Sequence, residues 1–189
     1  MPDQDRKGPV GAVMIVGGGV TGMQAALDLA NSGNYVYLVE SSPAIGGIMS
    51  QLDKTFPTND CSLCIISPKL VEVGRHLNIE LLPTSEIRDL RGEPGNFTAE
   101  VMQHPRFVDL EKCTSCGDCA GACPVELPNE YNEGLSQNKA VYKKYDQAIP
   151  AAYAIRKGDP APCRMTCPAG LNVQGYVQMV RQGNYERAL

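Results

Sequence analysis

Tryptophan is absent from this chain and only three phenylalanines occur, so any core must rest on aliphatic side chains. An excess of positive charge is also lacking. The formal net charge is −4 and the pI about 5.2, which argues against a nucleic-acid or anionic-membrane surface, since either calls for a basic patch. No stretch approaches the roughly 18 uncharged apolar residues of a membrane-spanning helix. The apolar run from Val10 to Ala30 is broken by glycines, and no basic start, solid apolar block and small-residue cleavage site mark a signal peptide. No Ser–His–Asp set or paired-carboxylate site stands out, so hydrolytic chemistry has no support. Internal repeats and low-complexity tracts are missing too. These absences leave a cytoplasmic chain, and 43% hydrophobic residues suffice for a packed core.

What the chain has in abundance is cysteine, eight in 189 residues. They fall into three groups: Cys61 and Cys64; Cys113, Cys116, Cys119 and Cys123; Cys163 and Cys167. Disulfides are disfavoured where thiols are kept reduced, so clustered cysteines there hold metal or do redox work.

Elements can be placed from pattern. Residues 1–8 are polar and read as a loose tail. Val10–Val16 is a short apolar run suited to a strand buried on both faces. Val20–Ser32 carries Met23, Ala26, Leu27 and Ala30 at helical spacing, with Gly33–Asn34 as a stop. Tyr35–Glu40 reads as a second strand, which completes a βαβ unit. Ser41–Asp60 reads as a long loop, the stretch to Arg75 as a helix beginning around Pro68, and Asn78–Leu82 as a third strand. Glu86–Leu90 and Phe97–Gln103 flank turn residues and predict a hairpin. A shift to Cys, Gly and Pro from Asp109 marks a boundary near Arg106. Leu171–Leu189 reads as helical.

Between the first strand and helix lies Gly17-Gly18-Gly19-Val20-Thr21-Gly22, a G-x-G-x-x-G fingerprint. The first glycine permits a tight turn, the second admits a pyrophosphate against backbone, and the third lets helix and strand pack closely. The helix N-terminus directs N–H groups and the positive end of its dipole at phosphate. Glu40 ends the next strand, where a carboxylate can accept hydrogen bonds from a ribose. The bland alternative is a glycine turn that binds nothing, with Glu40 a solvated charge. Glu40 is followed by Ser41-Ser-Pro-Ala-Ile-Gly46-Gly47. This resembles the Glu, short spacer, Gly-Gly pattern of glutathione-reductase-like flavoproteins, and it implies FAD rather than NAD.

Cys113-x₂-Cys116-x₂-Cys119-x₃-Cys123-Pro124 has the bacterial ferredoxin spacing. Three such thiolates wrap one [4Fe–4S] cubane, and the fourth ordinarily ligates the other cluster of a pair. Zinc fits poorly, because a zinc ribbon sets two C-x₂-C pairs well apart. Cys163-x₃-Cys167-Pro168 matches only the end of a second run. Mirrored spacing thus predicts one complete cubane on Cys113, Cys116, Cys119 and Cys167. Cys123 and Cys163 are left two ligands short of a second, which Cys61 and Cys64 or residues outside this sequence would complete. For Cys61 and Cys64 themselves three readings stand: cluster ligands, a dithiol beside the flavin, or two small apolar side chains.

The segments Val16–Leu27, Leu52–Cys61, Ser67–His76 and Asn132–Leu135, together with the ferredoxin run, strongly resemble the A subunit of heterodisulfide reductase over about residues 13–150. The resemblance implies an FAD protein that exchanges electrons with cubanes, in some members by flavin-based bifurcation. It also implies other subunits of such a complex and a ferredoxin or similar carrier as partners. Residues 162–176 and 183–189 instead resemble the iron–sulfur helical domain that the small subunit of glutamate synthase shares with dihydropyrimidine dehydrogenase. The chain therefore looks like the opening of a larger oxidoreductase, inactive alone. Its expected fold is α/β: a flexible tail (1–8), a Rossmann-like FAD-binding region (9–106), a ferredoxin-like [4Fe–4S] module (107–155) and the start of a helical iron–sulfur domain (156–189). The alternative is a non-catalytic electron relay with an incomplete flavin site.

Overall fold

The computed structural model describes residues 11–157 and 162–188. The expected tail at residues 1–8, Val10, and the last residue of the expected carboxyl-terminal helix lie outside the described residues. Two compact units divide after Arg156.

The first unit is built on a parallel sheet of three strands in the order β1 (Ala12–Val16), β2 (Tyr35–Glu40), β3 (Ile79–Pro83). The central strand β2 is the buried one, with Val36, Leu38 and Val39 sealed from solvent. β1 departs from the expectation of burial on both faces: it is an edge, and Val16 at its end is 64% exposed. Helix α1 (Val20–Asn31) packs on the sheet through Met23, Ala26, Leu27 and Ala30, the four residues its periodicity singled out.

Helix α2 (Ser62–Arg75) begins six residues before Pro68, where the sequence suggested its start, and Pro68 lies in its interior. A proline there removes one helical hydrogen bond. The earlier start has a local cause. Cys61 caps the helix by accepting from the Cys64 N–H at 3.3 Å, and the buried Ser62 hydroxyl donates to the Leu52 carbonyl. Ile66, Leu70 and Val73 then recur on one face and are buried. Met23, Leu38, Ile45, Ile66 and Leu70 are fully buried in one cluster, each contributing about 2 kcal/mol through removal of apolar surface from water.

Strands β4 (Ser85–Glu93) and β5 (Asn96–Gln103) form the expected hairpin, longer than the pattern indicated and with a bulge between Ile87 and Asp89. The cysteine run follows, carrying the short helix α3 (Asp118–Gly121). Two small antiparallel pairs come next: β6 (Glu126–Pro128) with β7 (Gln137–Lys139), and β8 (Val141–Tyr142) with β9 (Ala154–Ile155). The segment between β8 and β9 returns to the Rossmann-like core. Tyr145 and Ala148 are buried in the same cluster as Met23 and Leu38, with Tyr131 and Ile149 packed against it.

The second unit holds α4 (Pro162–Met165), α5 (Val173–Arg181) and α6 (Tyr185–Ala188). Leu171–Leu189 was expected to be helical, with no break placed in it. Instead Gly183, at φ +73°, ends α5, and the Gly183 and Asn184 N–H groups fold back on the Val180 and Met179 carbonyls. Among the described residues no helix is long and apolar enough to cross a membrane.

Candidate functional site

The glycine turn joins β1 to α1. Gly17 adopts φ +101°, and its N–H donates to the Val39 carbonyl at 2.8 Å, which pins the turn to the central strand. Gly22 has no alternative at its position: an added methyl group would overlap the Gly17 carbonyl oxygen. Helix and turn meet there backbone to backbone. At Gly19 a methyl group would meet nothing within 4 Å, so that glycine is not required by packing within the chain.

Glu40 serves the turn directly. One carboxylate oxygen accepts from the Gly18 N–H at 2.7 Å and the other from the Ser42 N–H at 2.8 Å. Each oxygen keeps a further lone pair for a ligand hydroxyl. Ser41 is exposed beside it. The second glycine pair lies on the first: the Gly46 N–H donates to the Gly18 carbonyl at 2.8 Å, and Gly47, at φ +56°, would bring a methyl group to 3.0 Å from the Gly19 Cα. The two glycine segments named by the sequence are therefore brought together.

Beside the first glycine segment and the start of α1 lies an open groove of about 490 Å³, within the size range of ligand pockets. Gly17, Gly19, Val20, Thr21 and Gly22 line it, while Gly18, Glu40 and Gly46 support it through their hydrogen bonds. Ile15, Val16 and Ala25 also line it, as do Ile48 and Met49 from the segment after the second glycine pair. The sequence reading missed the last two, although two apolar residues directly after a glycine pair were a usable signal. The N-cap Gly19 offers no side chain to the first N–H groups of α1, and no acidic residue stands in the first turn. Unsatisfied donors, a positive dipole end and absent negative charge fit a dinucleotide diphosphate.

The second candidate site is a cavity of about 260 Å³ lined by Cys113, Cys116 and Cys119 together with Ser115, Gly117 and Tyr153. Ser115 and Gly117 take positive φ, which curls the backbone around it. The N–H groups of Tyr153 and Ser115 hold the Cys113 thiol below its ordinary pKa, with help from the nearby charges of Arg106 and Lys143. Lys143 donates to the Ser115 hydroxyl at 3.2 Å. Burial and the neighbouring Cys119 and Cys116 push the Tyr153 phenol up. Three thiols, inward N–H donors and nearby cations suit a thiolate-ligated cluster, whose potential is tuned by such contacts.

Cys123 does not line this cavity. Its thiol is held low by the N–H groups of Val141 and Val125, which agrees with a role apart from its three neighbours. In the second unit the N–H groups of Leu171, Ala169 and Gly170 lower the Cys167 thiol in the same way, and Cys163 lies exposed on α4. Cys61 and Cys64 are both exposed and contact one another. The Cys64 thiol donates to the Cys61 sulfur, which lowers Cys61 and raises Cys64. No two of the eight cysteines are joined in a disulfide. Among the described residues, no three His, Cys, Asp or Glu side chains converge on a point where a single metal ion would sit.

Residues 12–62 match the family of FAD dependent oxidoreductases, and residues 104–125 match the 4Fe-4S binding domain. Over most of its length the chain is homologous to the A subunits of heterodisulfide reductases. It is 54% identical over 142 residues to iron–sulfur A subunit 2 of the CoB–CoM heterodisulfide reductase of Methanopyrus kandleri, covering 75% of this chain and 22% of that protein. It is 49% identical over 152 residues to the A subunit of the H2:CoB–CoM heterodisulfide, ferredoxin reductase of Methanothermobacter marburgensis, covering 80% and 23%. A protein of Archaeoglobus profundus, itself like the heterodisulfide reductase A subunit, is 45% identical over 182 residues, covering 84% and 26%. The chain thus spans about a quarter of the length of these relatives. Among solved structures, the L-proline dehydrogenase of P. horikoshii aligns with a TM-score of 0.40 at 23% identity, over 49% of this chain and 19% of that one.

Proposed function

We propose that this chain is the flavin-and-cluster portion of a heterodisulfide reductase-like oxidoreductase, in which electrons pass between FAD and [4Fe–4S] clusters. One observation carries the reading: the glycine groove and the three-cysteine cavity belong to a single compact unit whose segments are interlocked. FAD, when bound, exchanges two electrons and a cubane one, so the pair converts between two-electron and one-electron carriers. The chain's own part is to hold both. Gly17, Gly19 and the first N–H groups of α1 receive the diphosphate, with Val20 and Thr21 beside it, while Gly22 keeps the helix close. Glu40 keeps the turn in place and offers its remaining lone pairs to a ribose, with Ser41, Gly46 and Gly47 alongside.

Cys113, Cys116 and Cys119 ligate the first cubane, and the mirrored spacing assigns Cys167 as its fourth thiolate. Cys123 and Cys163 belong to a second, completed by Cys61 and Cys64 or by ligands outside the chain. The backbone donors around Cys167 support the likeness of residues 162–189 to an iron–sulfur helical domain. Residues 9–106, 107–155 and 156–189 are the corresponding sequence modules. Other subunits of a heterodisulfide reductase-like complex and a ferredoxin-like carrier are the partners this reading implies. A cytoplasmic setting suits eight unpaired thiols.

A second reading, an electron relay with an incomplete flavin site, draws support from the sheet. Among the described residues β1 is an edge of the sheet, and the groove beside it opens to solvent. Anaerobic reconstitution with iron, sulfide and FAD tests both. A cubane EPR signal in the reduced chain is expected, and its absence from a folded sample would overturn the main reading. Release of stoichiometric flavin on heating selects the flavoprotein over the relay.

A further inference from the structure

Arg106 is a cation in an unusual position. It is partly buried, and its guanidinium donates to three backbone carbonyls: Nε to Tyr153 at 2.9 Å, and the two terminal nitrogens to Pro43 at 2.6 Å and Ala152 at 2.7 Å. Among the described residues no carboxylate pairs with it, whereas Arg91 and Arg156 are paired with Asp89 and Glu130. Burial depresses its pKa, and Tyr142 and Cys113 are the groups that act in the opposite direction. A buried charge normally has a partner of opposite sign. Three carbonyl dipoles take three of its five N–H donors but supply no countercharge. Of Tyr142 and Cys113, Tyr142 is the stronger, but Cys113 is the one that lines the three-cysteine cavity, and its effect with Arg106 is mutual.

The same side chain bridges two parts of the fold. Pro43 lies in the loop between Glu40 and the second glycine pair, and Tyr153 supplies the N–H that bonds the Cys113 sulfur. We propose that Arg106 is a buried countercharge of the Cys113–Cys116–Cys119 site, beside Lys143 at the Ser115 hydroxyl, and raises its reduction potential, while its three carbonyl contacts hold that site against the loop after β2. It is a positioning residue, since it acts on the cluster through charge and through Tyr153 rather than by ligation. The inference rests on the proposed [4Fe–4S] occupancy. Reduction adds one electron and breaks no bond, so the site gains one negative charge, and a fixed cation stabilises the reduced state more than the oxidised one.

The test uses the full chain reconstituted anaerobically with iron and sulfide. EPR-monitored redox titration is run on wild type, Arg106→Gln, Arg106→Lys and Arg91→Gln, the last a control at an exposed cation. A cubane signal from wild type is required first; its failure counts against the proposed function, separately from the role of Arg106. Arg106→Gln keeps amide donors but no charge. It is expected to shift the reduced-to-oxidised ratio at least tenfold toward oxidised, about 59 mV for one electron. Arg106→Lys keeps charge without the planar fork, so its reduced-to-oxidised ratio at a given potential stays within about threefold of wild type while thermal stability falls. Arg91→Gln leaves the potential unchanged. If Arg106→Gln loses the cluster while Arg106→Lys retains it at a near-native potential, the charge role is upheld. A loaded Arg106→Gln with unchanged potential overturns it, as does equal failure of Gln and Lys to hold a cluster.

Discussion

Tyr145 donates its phenolic hydrogen to the carbonyl of Ile45, one hundred residues earlier in the chain. The bond is buried, and the Ile45 N–H in turn donates to the Ile149 carbonyl at 3.0 Å. Tyr131 repeats the arrangement by donating to the Ser50 carbonyl at 2.9 Å. The loop that carries Gly46 and Gly47 is thus held from below by a segment that follows the cysteine run.

Tyr145→Phe tests this tie. The ring stays and the hydroxyl goes, which leaves the Ile45 carbonyl without its donor at a cost of about 2 kcal/mol. The apo chain should melt about 5 °C lower at pH 8. Burial, then Glu40 and Tyr131, push the Tyr145 phenol above its ordinary value. Its contribution is therefore complete below about pH 10 and lost as pH rises beyond, because the unfolded phenol ionises while the folded one must stay protonated. The gap between wild type and variant should narrow above about pH 10. A gap that is constant from about pH 8 to 11 would count against the buried phenol.

Gly19 and Gly22 should separate under substitution. Alanine at Gly22 collides with the Gly17 carbonyl, so urea denaturation should show a loss of about 3 kcal/mol. Alanine at Gly19 meets no atom of the chain, and its φ of −72° suits any residue. Stability should hold while FAD affinity, read by fluorescence quenching, falls about tenfold or more as the methyl group enters the diphosphate position. Equal FAD affinity in wild type and Gly19→Ala would remove the diphosphate from this turn.

The glycine turn, α1 and β2 were legible because each is local: a fingerprint, a 3.6-residue period and a β-branched run lie within about thirty residues. Three of the four ferredoxin cysteines were legible as one site for the same reason. The start of α2 was not. Pro68 is a strong local signal for a helix start, and it was outweighed by the Cys61 cap and by the buried Ser62 hydroxyl bonded to the Leu52 carbonyl. Nor did the polar stretch after Glu130 announce that Tyr145 and Ala148 are core residues. Their burial depends on partners some hundred residues away, which no period or turn residue encodes.

Cys123 should behave differently from its three neighbours. Cys116 lines the cavity with Cys113 and Cys119, whereas Cys123 lies outside it, where its thiol donates to the Val125 carbonyl at 3.7 Å. Cys116→Ala is expected to abolish the EPR signal of the first cubane in the reconstituted chain. Cys123→Ala and Cys61→Ala are expected to leave that signal in place. Loss of the signal in Cys123→Ala would instead make all four cysteines ligands of one cluster.

The Cys61–Cys64 pair offers the last prediction, because its geometry favours one thiol over the other. The Cys64 N–H donates to the Cys61 sulfur, which caps α2, and the Cys64 side chain lowers the Cys61 thiol. Thiolate is the reactive form, so at about pH 7.5 iodoacetamide should alkylate Cys61 several-fold faster than Cys64 in the apo chain, read by peptide mass spectrometry. Cys64→Ala removes the donor and should slow Cys61, while Cys61→Ala should bring Cys64 back toward an ordinary thiol. Equal rates at the two sulfurs would contradict the pairing. Repeating the alkylation after iron and sulfide reconstitution then separates two roles. Ligands of a second cubane become protected, whereas a dithiol that serves the flavin stays open to reagent and closes to a disulfide only under oxidation.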